Sequence, residues 1–185
     1  MDGVEITGTA TGGGGGVAKT GQTTSYATGD DGDLEKGTTW PNPRFTDNGD
    51  GTVTDNLTGL IWLENANCAN AARSWATALN DVAQLNTDGT MNSNNCGDTS
   101  NSSSHQTDWR LPNIRELHSL IDLSNVSPAL PTGYPFSGVQ TGYYWSCTSS
   151  ANITTYAWDV NLGFGNVYND SKTYTYYVWP VRGGE

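Results

Sequence analysis

The sequence predicts an α+β domain with two helices and small antiparallel sheets. Two stretches, at residues 70–86 and 113–121, carry apolar residues at the spacing of an amphipathic helix. Short alternating runs bounded by turn residues occur before the first stretch and again after residue 143, and these are typical of strands. With the long irregular middle of the chain, these features indicate an α+β domain.

Composition restricts the classes of partner. The chain has 185 residues and a formal net charge of −11, with charged residues making up only 15%. A chain this acidic is expected to repel nucleic acid and anionic membranes. It has no run of about twenty apolar residues, so membrane insertion is not expected either.

Residues 1–37 differ from the rest and are predicted to form a flexible, Gly/Thr-rich, acidic arm. Five consecutive glycines occupy 12–16, and four acidic residues follow between 30 and 35. Such a stretch has too little apolar surface to offset the entropy of ordering its backbone. An arm that packs on a neighbouring subunit is the alternative. The domain itself is predicted to span 38–185.

The domain opens with a predicted hairpin. Residues 44–47 and 52–55 form its strands, and the turn 48–51 reads Asn-Gly-Asp-Gly, whose residues tolerate positive φ. A calcium loop starting at Asp47 would place Gly49 and Gly51 where side-chain oxygens are needed, so turn chemistry is favoured over a metal site. A third strand is expected at residues 60–63.

Two helices follow. Asn70 is predicted to cap the first, with a buried stripe that includes Trp75, Leu79 and Val82. Residues 87–107 are mostly Asn, Ser, Thr, Gly and Asp, which predicts a long surface loop. Asn113 and Glu116 fit a capping box at the start of the second helix.

The C-terminal segment, residues 143–185, contains seven of the nine tyrosines. Residues 156–162 alternate, with Trp158, Val160 and Leu162 on one side and Asp159 and Asn161 on the other. Residues 166–168 are expected to pair back, 169–173 to turn, and 174–181 to form a last strand. Recognition surfaces are enriched in Tyr and Asn. An ordinary solvated sheet face would also carry Asn and Thr.

Five motifs carry a family resemblance. They are FTDNGDGTVTD at 45–55, TGLIW at 58–62, DWRLPN at 108–113, YWS at 144–146, and YV at 177–178 with PVRGG at 180–184. In this order they resemble the DUF1566 family, the C-terminal domains of the Legionella collagen-like adhesin and of many secreted bacterial proteins. The resemblance covers about residues 40–185.

The resemblance implies a C-type-lectin-like fold and a secreted or cell-surface location. Several members of the family resemble the variable proteins of diversity-generating retroelements, in which surface positions of the C-terminal segment are mutagenised. The resemblance also favours a disulfide between Cys68 and Cys96. This bond would close a loop of about 29 residues and stabilise the fold by roughly 3 kcal/mol. Cys147 stands where relatives often have serine and is expected to be a small buried thiol.

Catalysis is not expected. The related formylglycine-generating enzymes need a paired cysteine site for copper, and only Cys147 lies in the C-terminal half. His105 belongs to a loop and His118 to a helix. The sequence shows no Ser-His-Asp order and no paired carboxylates at a recognisable spacing. Neither a metal site nor a cofactor is predicted.

A ligand-binding role is therefore predicted for outward positions of the C-terminal segment, and the ligand is expected to be a protein or a neutral glycan. The predicted ligand-binding residues are Ser150, Asn152, Ile153, Thr154, Asp159, Asn161, Phe164, Asn166, Tyr168, Asn169, Asp170, Ser171, Tyr174, Thr175 and Trp179. Most of these are residue types that mutagenesis of AAY codons produces in retroelement-diversified proteins, and Trp179 is the exception.

Tyr168, Tyr174 and Trp179 are the expected anchors. Trp145, Trp158, Val160, Val167 and Val178 are the expected buried framework. The alternative function is a trimeric adhesin or fibre-tip structural domain, with a homo-trimer as the assembly.

Overall fold

The computed structural model describes residues 16–184 and has a mixed α+β architecture of short helices and small antiparallel sheets. The helices are α1 (Asp31–Leu34), α2 (Trp75–Asp88) and α3 (Ile114–His118). The strands are β1 (Phe45–Asp47), β2 (Thr52–Asp55), β3 (Ile61–Leu63), β4 (Arg73–Ser74), β5 (Thr90–Met91), β6 (Asn94–Asn95), β7 (Tyr143–Ser149), β8 (Tyr156–Asn161), β9 (Asn166–Ser171), β10 (Thr175–Tyr176) and β11 (Val181–Arg182). The two predicted helices correspond to α2 and α3, and α1 is an additional single turn.

The predicted hairpin is confirmed as β1–β2 and forms part of a four-stranded sheet of order β1-β2-β3-β11. The two turn carboxylates accept local N–H groups: Asp47 from Gly49 and Asp50 from Thr52. Gly51 has a φ of +83°, and a Cβ there would stand 2.2 Å from the Gly97 carbonyl oxygen. The hairpin turn therefore packs against the long loop at a place that only glycine fits.

Helix α2 begins later than predicted. Ser74 is its N-cap and accepts the N–H of Thr77, whereas Asn70 has a φ of +50° and lies before the helix. The buried side is formed by Ala78, Asp81, Val82 and Leu85. The predicted stripe is wrong except at Val82 and at half-buried Trp75, because a different face of the helix is covered and Leu79 is 37% exposed. Asp81, on the covered face, pairs with Arg73 at 2.6 Å.

Helix α3 confirms the capping box. The Asn113 side chain accepts the N–H of Arg115 and of Glu116, and the Glu116 carboxylate accepts the N–H of Asn113. Glu116 also pairs with Arg110 at 2.7 Å. The backbone of Arg110 exchanges two hydrogen bonds with Val181, so the helix is fastened to the C-terminal strand β11.

The second main sheet has three strands in the order β7-β8-β9, with β8 in the centre. Strand β9 runs to Ser171, so the turn predicted from residue 169 starts later. The predicted last strand, 174–181, is broken into β10, which pairs with β4, and β11, which pairs with β3. This break turns the side chains between the two short strands toward the core.

The core contains a cluster of aromatic rings, Trp62, Phe136 and Trp179, here called the closed cluster. Trp179 meets Phe136 edge-on at 4.7 Å and Trp62 at 5.5 Å between ring centroids. Edge-to-face geometry of this kind adds to the energy of burial itself. The closed cluster joins the four-stranded sheet to the segment that leads into β11.

Cys68 and Cys96 form the predicted disulfide, with a Cα–Cα distance of 5.3 Å. Both cysteines are buried. The bond ties the segment before α2 to the loop that follows it, which restricts the unfolded chain.

The arm predicted at residues 1–37 lies partly outside the described residues, which begin at residue 16. From there it contacts the domain. The Trp40 indole N–H donates to the Lys19 carbonyl at 2.9 Å, and the Leu123 N–H donates to the Thr20 carbonyl at 2.9 Å. The flexibility of the arm stays a prediction. None of the described helices is both long and apolar enough to span a membrane.

Candidate functional site

The candidate site lies on one face of the sheet β7-β8-β9. Register places Trp145 opposite Asp159, and Asp159 opposite Tyr168. Residues that oppose each other on neighbouring strands share a face. Tyr143 and Asp170 lie two residues along from Trp145 and Tyr168, so they belong to the same face. The sheet thus gathers two tyrosines and two carboxylates from three strands.

Tyr176 from β10 packs over this face. Its ring stacks on Tyr143 at 4.8 Å and lies 4.5 Å from Trp145. Tyr168 meets Tyr143 edge-on at 5.8 Å, and Tyr174 meets Tyr176 edge-on at 6.3 Å. We call the surface formed by Tyr143, Tyr168, Tyr174 and Tyr176 with Asp159 and Asp170 the tyrosine face.

The outer rings of the tyrosine face are open to solvent. Tyr168 is 44% exposed and Tyr174 is 54% exposed, while Tyr143 and Tyr176 are half-buried beneath them. Asn166 donates its amide N–H to the Tyr168 hydroxyl at 3.0 Å. The exposed rings are therefore held in position by neighbours, and they lose little rotamer entropy when they contact a partner.

The two carboxylates of the tyrosine face differ. Asp170 is half-buried and accepts the Tyr176 hydroxyl at 2.8 Å. Asp159 is completely buried, and neither of its oxygens accepts a hydrogen bond from the described residues. Burial, assisted by the charge of Asp170, raises the pKa of Asp159 to about 7. Burial and the hydrogen bond to Asp170 also raise the pKa of the Tyr176 phenol.

The loop between β7 and β8 contributes a second group of predicted residues. Asn152, Ile153 and Thr154 are exposed there. Lys172 fixes this loop by donating from Nζ to the Ser149 hydroxyl at 2.7 Å and to the Thr154 carbonyl at 2.9 Å. The loop is therefore a positioned polar surface at one end of the sheet.

The remaining predicted residues lie in three other places. Phe164 is exposed in the turn between β8 and β9. Asn169 and Ser171 are half-buried on the face of β9 opposite the tyrosine face, and Thr175 is exposed on β10. The structure therefore does not collect the whole predicted set into one surface.

Four predicted ligand-binding residues are buried, so the expectation that they face outward is wrong. Trp179 belongs to the closed cluster, where its indole N–H donates to the Leu63 carbonyl at 2.8 Å. Asn161 accepts the N–H of Gly163 within the β8–β9 turn. Ser150 donates to Asn152. Asp159 is covered because β8 is a central strand whose second face lies under Tyr176, whereas the alternation argument assumed a solvated face.

Three other expectations need correction. Val167, expected in the framework, is 37% exposed because β9 is an edge strand. Trp158, also expected in the framework, is only half-buried. Cys147, expected to be buried, is an exposed residue of β7, although its thiol is partly covered. Sequence reasoning also missed Tyr143 and Tyr176 as parts of the site. The alternation of Tyr143 with Trp145, and of Tyr174 with Tyr176, is the signal that places them on one face.

Few described side chains are candidates for binding a metal ion or for acting as a nucleophile. Between residues 16 and 184, no group of three or more His, Cys, Asp or Glu side chains is arranged to hold a metal ion. Partial burial raises the pKa of the Cys147 thiol, against the opposing effect of Arg110. A raised pKa disfavours the nucleophilic thiolate.

A separate cavity of about 480 Å³ lies between the arm and α3, lined in part by Val17, Trp40 and Ile121. It shares no lining residue with the tyrosine face, where the unpaired carboxylate and the exposed rings lie. The candidate site is therefore the tyrosine face, an open surface, and this cavity is distinct from it.

Comparison with known proteins gives one family. The family described as the Lcl C-terminal domain matches residues 51–182, which include β2, both longer helices and the whole sheet β7-β8-β9. No curated protein matches the chain. The match covers more than half of the sequence and agrees with the resemblance carried by the five motifs. The chain therefore belongs to the Lcl C-terminal domain family.

Proposed function

We propose that this chain is a ligand-recognition domain of a secreted or surface-displayed protein, and that the tyrosine face is its contact surface. Membership of the Lcl C-terminal domain family suggests an adhesin-like domain at the surface or outside the cell. The disulfide Cys68–Cys96 is compatible with that location, because disulfides persist in oxidising compartments.

One observation carries the proposal: exposed tyrosine rings stand on a sheet whose framework is buried. Tyr168 and Tyr174 offer large contact area, and Trp145, Val160 and Val178 beneath or beside them are completely buried. A surface of this kind tolerates changes of contact residues without loss of the frame. Aromatic anchors supply most of the affinity in many interfaces.

The proposed ligand is a protein or a neutral glycan. With a net charge of −11 the chain repels polyanions, which argues against nucleic acid and anionic membranes as partners. Tyrosine suits both proposed ligands because its ring stacks on apolar surfaces while its hydroxyl forms hydrogen bonds. The role is one of binding, and no cofactor enters it.

The finer parts of the resemblance are also proposals. A C-type-lectin-like fold is supported by the pairing of the C-terminal strand β11 with β3 and by the two helices that flank the irregular middle. Retroelement diversification is supported by residue type, since Asn166, Tyr168 and Ile153 are exposed products of AAY codons. A reverse-transcriptase gene and an imperfect repeat of the 3′ end beside the coding sequence test this directly.

The experiment that tests recognition is selection against neutral glycan arrays and displayed peptides, followed by substitution. Replacing Tyr168 and Tyr174 together by Ala is expected to abolish capture of whatever ligand is selected, while the melting temperature stays within a few degrees. Tyr26→Ala is the matched control, because Tyr26 is an exposed tyrosine of the arm. Equal capture by the double variant and by the control would remove the tyrosine face from the proposal.

The second candidate function is assembly, as a trimeric adhesin or fibre-tip domain. It is supported by exposed apolar side chains around the β8–β9 turn, Phe164 beside the segment that carries Leu123 and Val126. Adjacent exposed apolar side chains often mark protein contacts. Light scattering distinguishes the two: a trimer that Phe164→Asp dissociates supports assembly, and a concentration-independent monomer contradicts it.

A further inference from the structure

The carboxylate of Asp159 is the feature of the tyrosine face that recognition by aromatic contact leaves unexplained. Its side chain is completely buried between Trp145 and Tyr168, its register partners on the two neighbouring strands. Both of its oxygens lack a hydrogen-bond donor among the described residues. Buried aspartates are rare unless they are paired, because an isolated buried charge is costly. Asp159 therefore calls for a cationic or hydrogen-bonding partner.

The described neighbours of Asp159 do not supply that partner. Asp170 and Tyr168 face it from β9, Tyr143 from β7, and Tyr176 from β10. The Tyr176 hydroxyl, which is a donor, is used by Asp170. These groups give the site two carboxylates and three phenols but no positively charged side chain.

The basic side chains of the adjoining elements are committed elsewhere. Arg73 on β4, which pairs with β10, forms its ion pair with Asp81 at 2.6 Å. Lys172, directly after β9, donates to Ser149 and Thr154 and lies 4.1 Å above the Trp75 ring. Neither arginine nor lysine from these elements neutralises Asp159. The site is acidic, has no basic partner among the described residues and is lined by aromatic rings.

A site with these properties matches one chemical class. Carboxylates bind ammonium and guanidinium groups through charged hydrogen bonds, which are the stronger kind. Tyrosine rings attract the same cations through their negative faces, and most strongly where water is excluded. Two carboxylates flanked by Tyr143, Tyr168 and Tyr176 combine both interactions.

We propose that the tyrosine face takes up a single cationic group of its ligand, the ammonium or guanidinium of a basic side chain, between Asp159 and Asp170. This rests on the proposed recognition function and narrows its ligand to a protein with an exposed lysine or arginine. Entry requires the Tyr176 hydroxyl to leave Asp170 and the exposed ring of Tyr168 to move aside. The cation then replaces the phenol as the partner of Asp170 and gives Asp159 its missing donor.

Proton linkage gives this site a signature. With its pKa raised to about 7, Asp159 is protonated in the free protein at pH 6 and ionised at pH 8. A bound cation favours the ionised form, so binding releases a proton below pH 7. Affinity therefore rises about tenfold between pH 6 and pH 8, because the ionised fraction of Asp159 rises from roughly a tenth to roughly nine-tenths over that range.

The test uses two small probes, Nα-acetyl-lysine amide and its neutral counterpart Nα-acetyl-norleucine amide, titrated into the full chain while tyrosine ring signals are followed by NMR. The lysine probe is expected to shift the signals of Tyr143, Tyr168 and Tyr176 and the norleucine probe to leave them unchanged. Asp159→Asn is expected to weaken lysine-probe binding at least about tenfold at pH 8. The same variant removes the pH dependence.

Asp108→Asn is the matched control. It removes one carboxylate from an exposed pair with Arg182, away from the tyrosine face, so it changes the net charge equally. Its lysine-probe affinity is expected to equal that of the unchanged chain. If Asp159→Asn fails to fold, the pH dependence and the proton release of the unchanged chain, measured by calorimetry in two buffers, give the same decision.

Three results would overturn the cation site: no ring shifts with the lysine probe, equal binding of the norleucine probe, or unchanged binding by Asp159→Asn. Each of them leaves the recognition function standing if a selected ligand is still lost on replacing Tyr168 and Tyr174. Loss of the recognition function is distinguishable, because that ligand would then be captured without those two tyrosines.

Discussion

The molecule contains two aromatic clusters of similar geometry and opposite exposure. Ring centroids lie 4.7–5.5 Å apart in the closed cluster and 4.8–6.3 Å apart in the tyrosine face, and in both the rings form stacked or edge-on pairs. In the closed cluster the rings are buried on all sides. In the tyrosine face the outer rings reach solvent. Ring packing alone therefore does not distinguish a core from a contact surface.

The difference lies in the polar groups beside the rings. In the closed cluster the Trp179 N–H has a carbonyl partner, and the Trp62 N–H, which has none among the described residues, is uncharged. In the tyrosine face the unpaired group is a carboxylate. An unpaired neutral donor costs far less than an unpaired charge. The closed cluster therefore has little free energy to gain from a further partner, whereas a partner for the carboxylate would stabilise the tyrosine face.

Trp179→Ala is expected to have the largest effect on stability. Trp179→Ala would leave a large cavity between Trp62 and Phe136, and large-to-small changes of this kind cost about 3–5 kcal/mol of the free energy of unfolding. Denaturant unfolding followed by tryptophan fluorescence measures the loss. A change below about 1 kcal/mol would mean that Trp179 is a surface anchor, as the sequence first indicated.

Asp159→Asn is expected to have the next largest effect on the free energy of unfolding, and this effect depends on pH. The folded-state pKa of about 7 lies above the ordinary value of 3.8, so the folded chain binds more protons than the unfolded chain between these values. Stability contributed by Asp159 is therefore present below about pH 4 and is lost as pH rises to 7. Asp159→Asn is expected to raise the free energy of unfolding by about 2–4 kcal/mol at pH 8.

The control for that prediction is the same measurement at acid pH. Near pH 4 both Asp159 and its amide replacement are neutral in the folded chain, so the two proteins are expected to have nearly equal free energies of unfolding. Urea titrations at pH 4, 6 and 8 follow the change. An Asp159→Asn variant that is less stable at every pH would show that the carboxylate already has a stabilising partner in the free protein.

Sequence reasoning predicted local features that depend on a few neighbouring residues. The hairpin β1–β2 follows from its Asn-Gly-Asp-Gly turn, and the capping box of α3 from Asn113 and Glu116. The disulfide was favoured by resemblance and by loop length, and it is present. Each of these is determined within a short stretch or by covalent chemistry, so tertiary packing had little opportunity to change it.

The errors arise where tertiary structure decides which face is covered. Alternation along β8 correctly placed Asp159 and Val160 on opposite faces, but it could not show that a distant strand, β10, brings Tyr176 over the polar face. The partners of the two basic residues in the C-terminal segment also depend on tertiary structure. Arg182 pairs with Asp108 and Lys172 holds a loop, so the tyrosine face keeps its carboxylates unneutralised.

Tyr168→Ala is expected to have the smallest effect on stability, because Tyr168 lies on the open side of the sheet. Tyr168→Ala removes an exposed ring whose described contacts are one edge-on ring and one hydrogen bond from Asn166, so it is expected to cost under about 1 kcal/mol of the free energy of unfolding. Tyr144→Ala is the matched control, since Tyr144 is the completely buried tyrosine on the opposite face of the same sheet. Its loss is expected to approach that of Trp179→Ala. Parallel urea titrations decide between the two outcomes. Equal losses at the two tyrosines would mean that both faces of the sheet are core, and the tyrosine face would then have no free surface to offer a ligand.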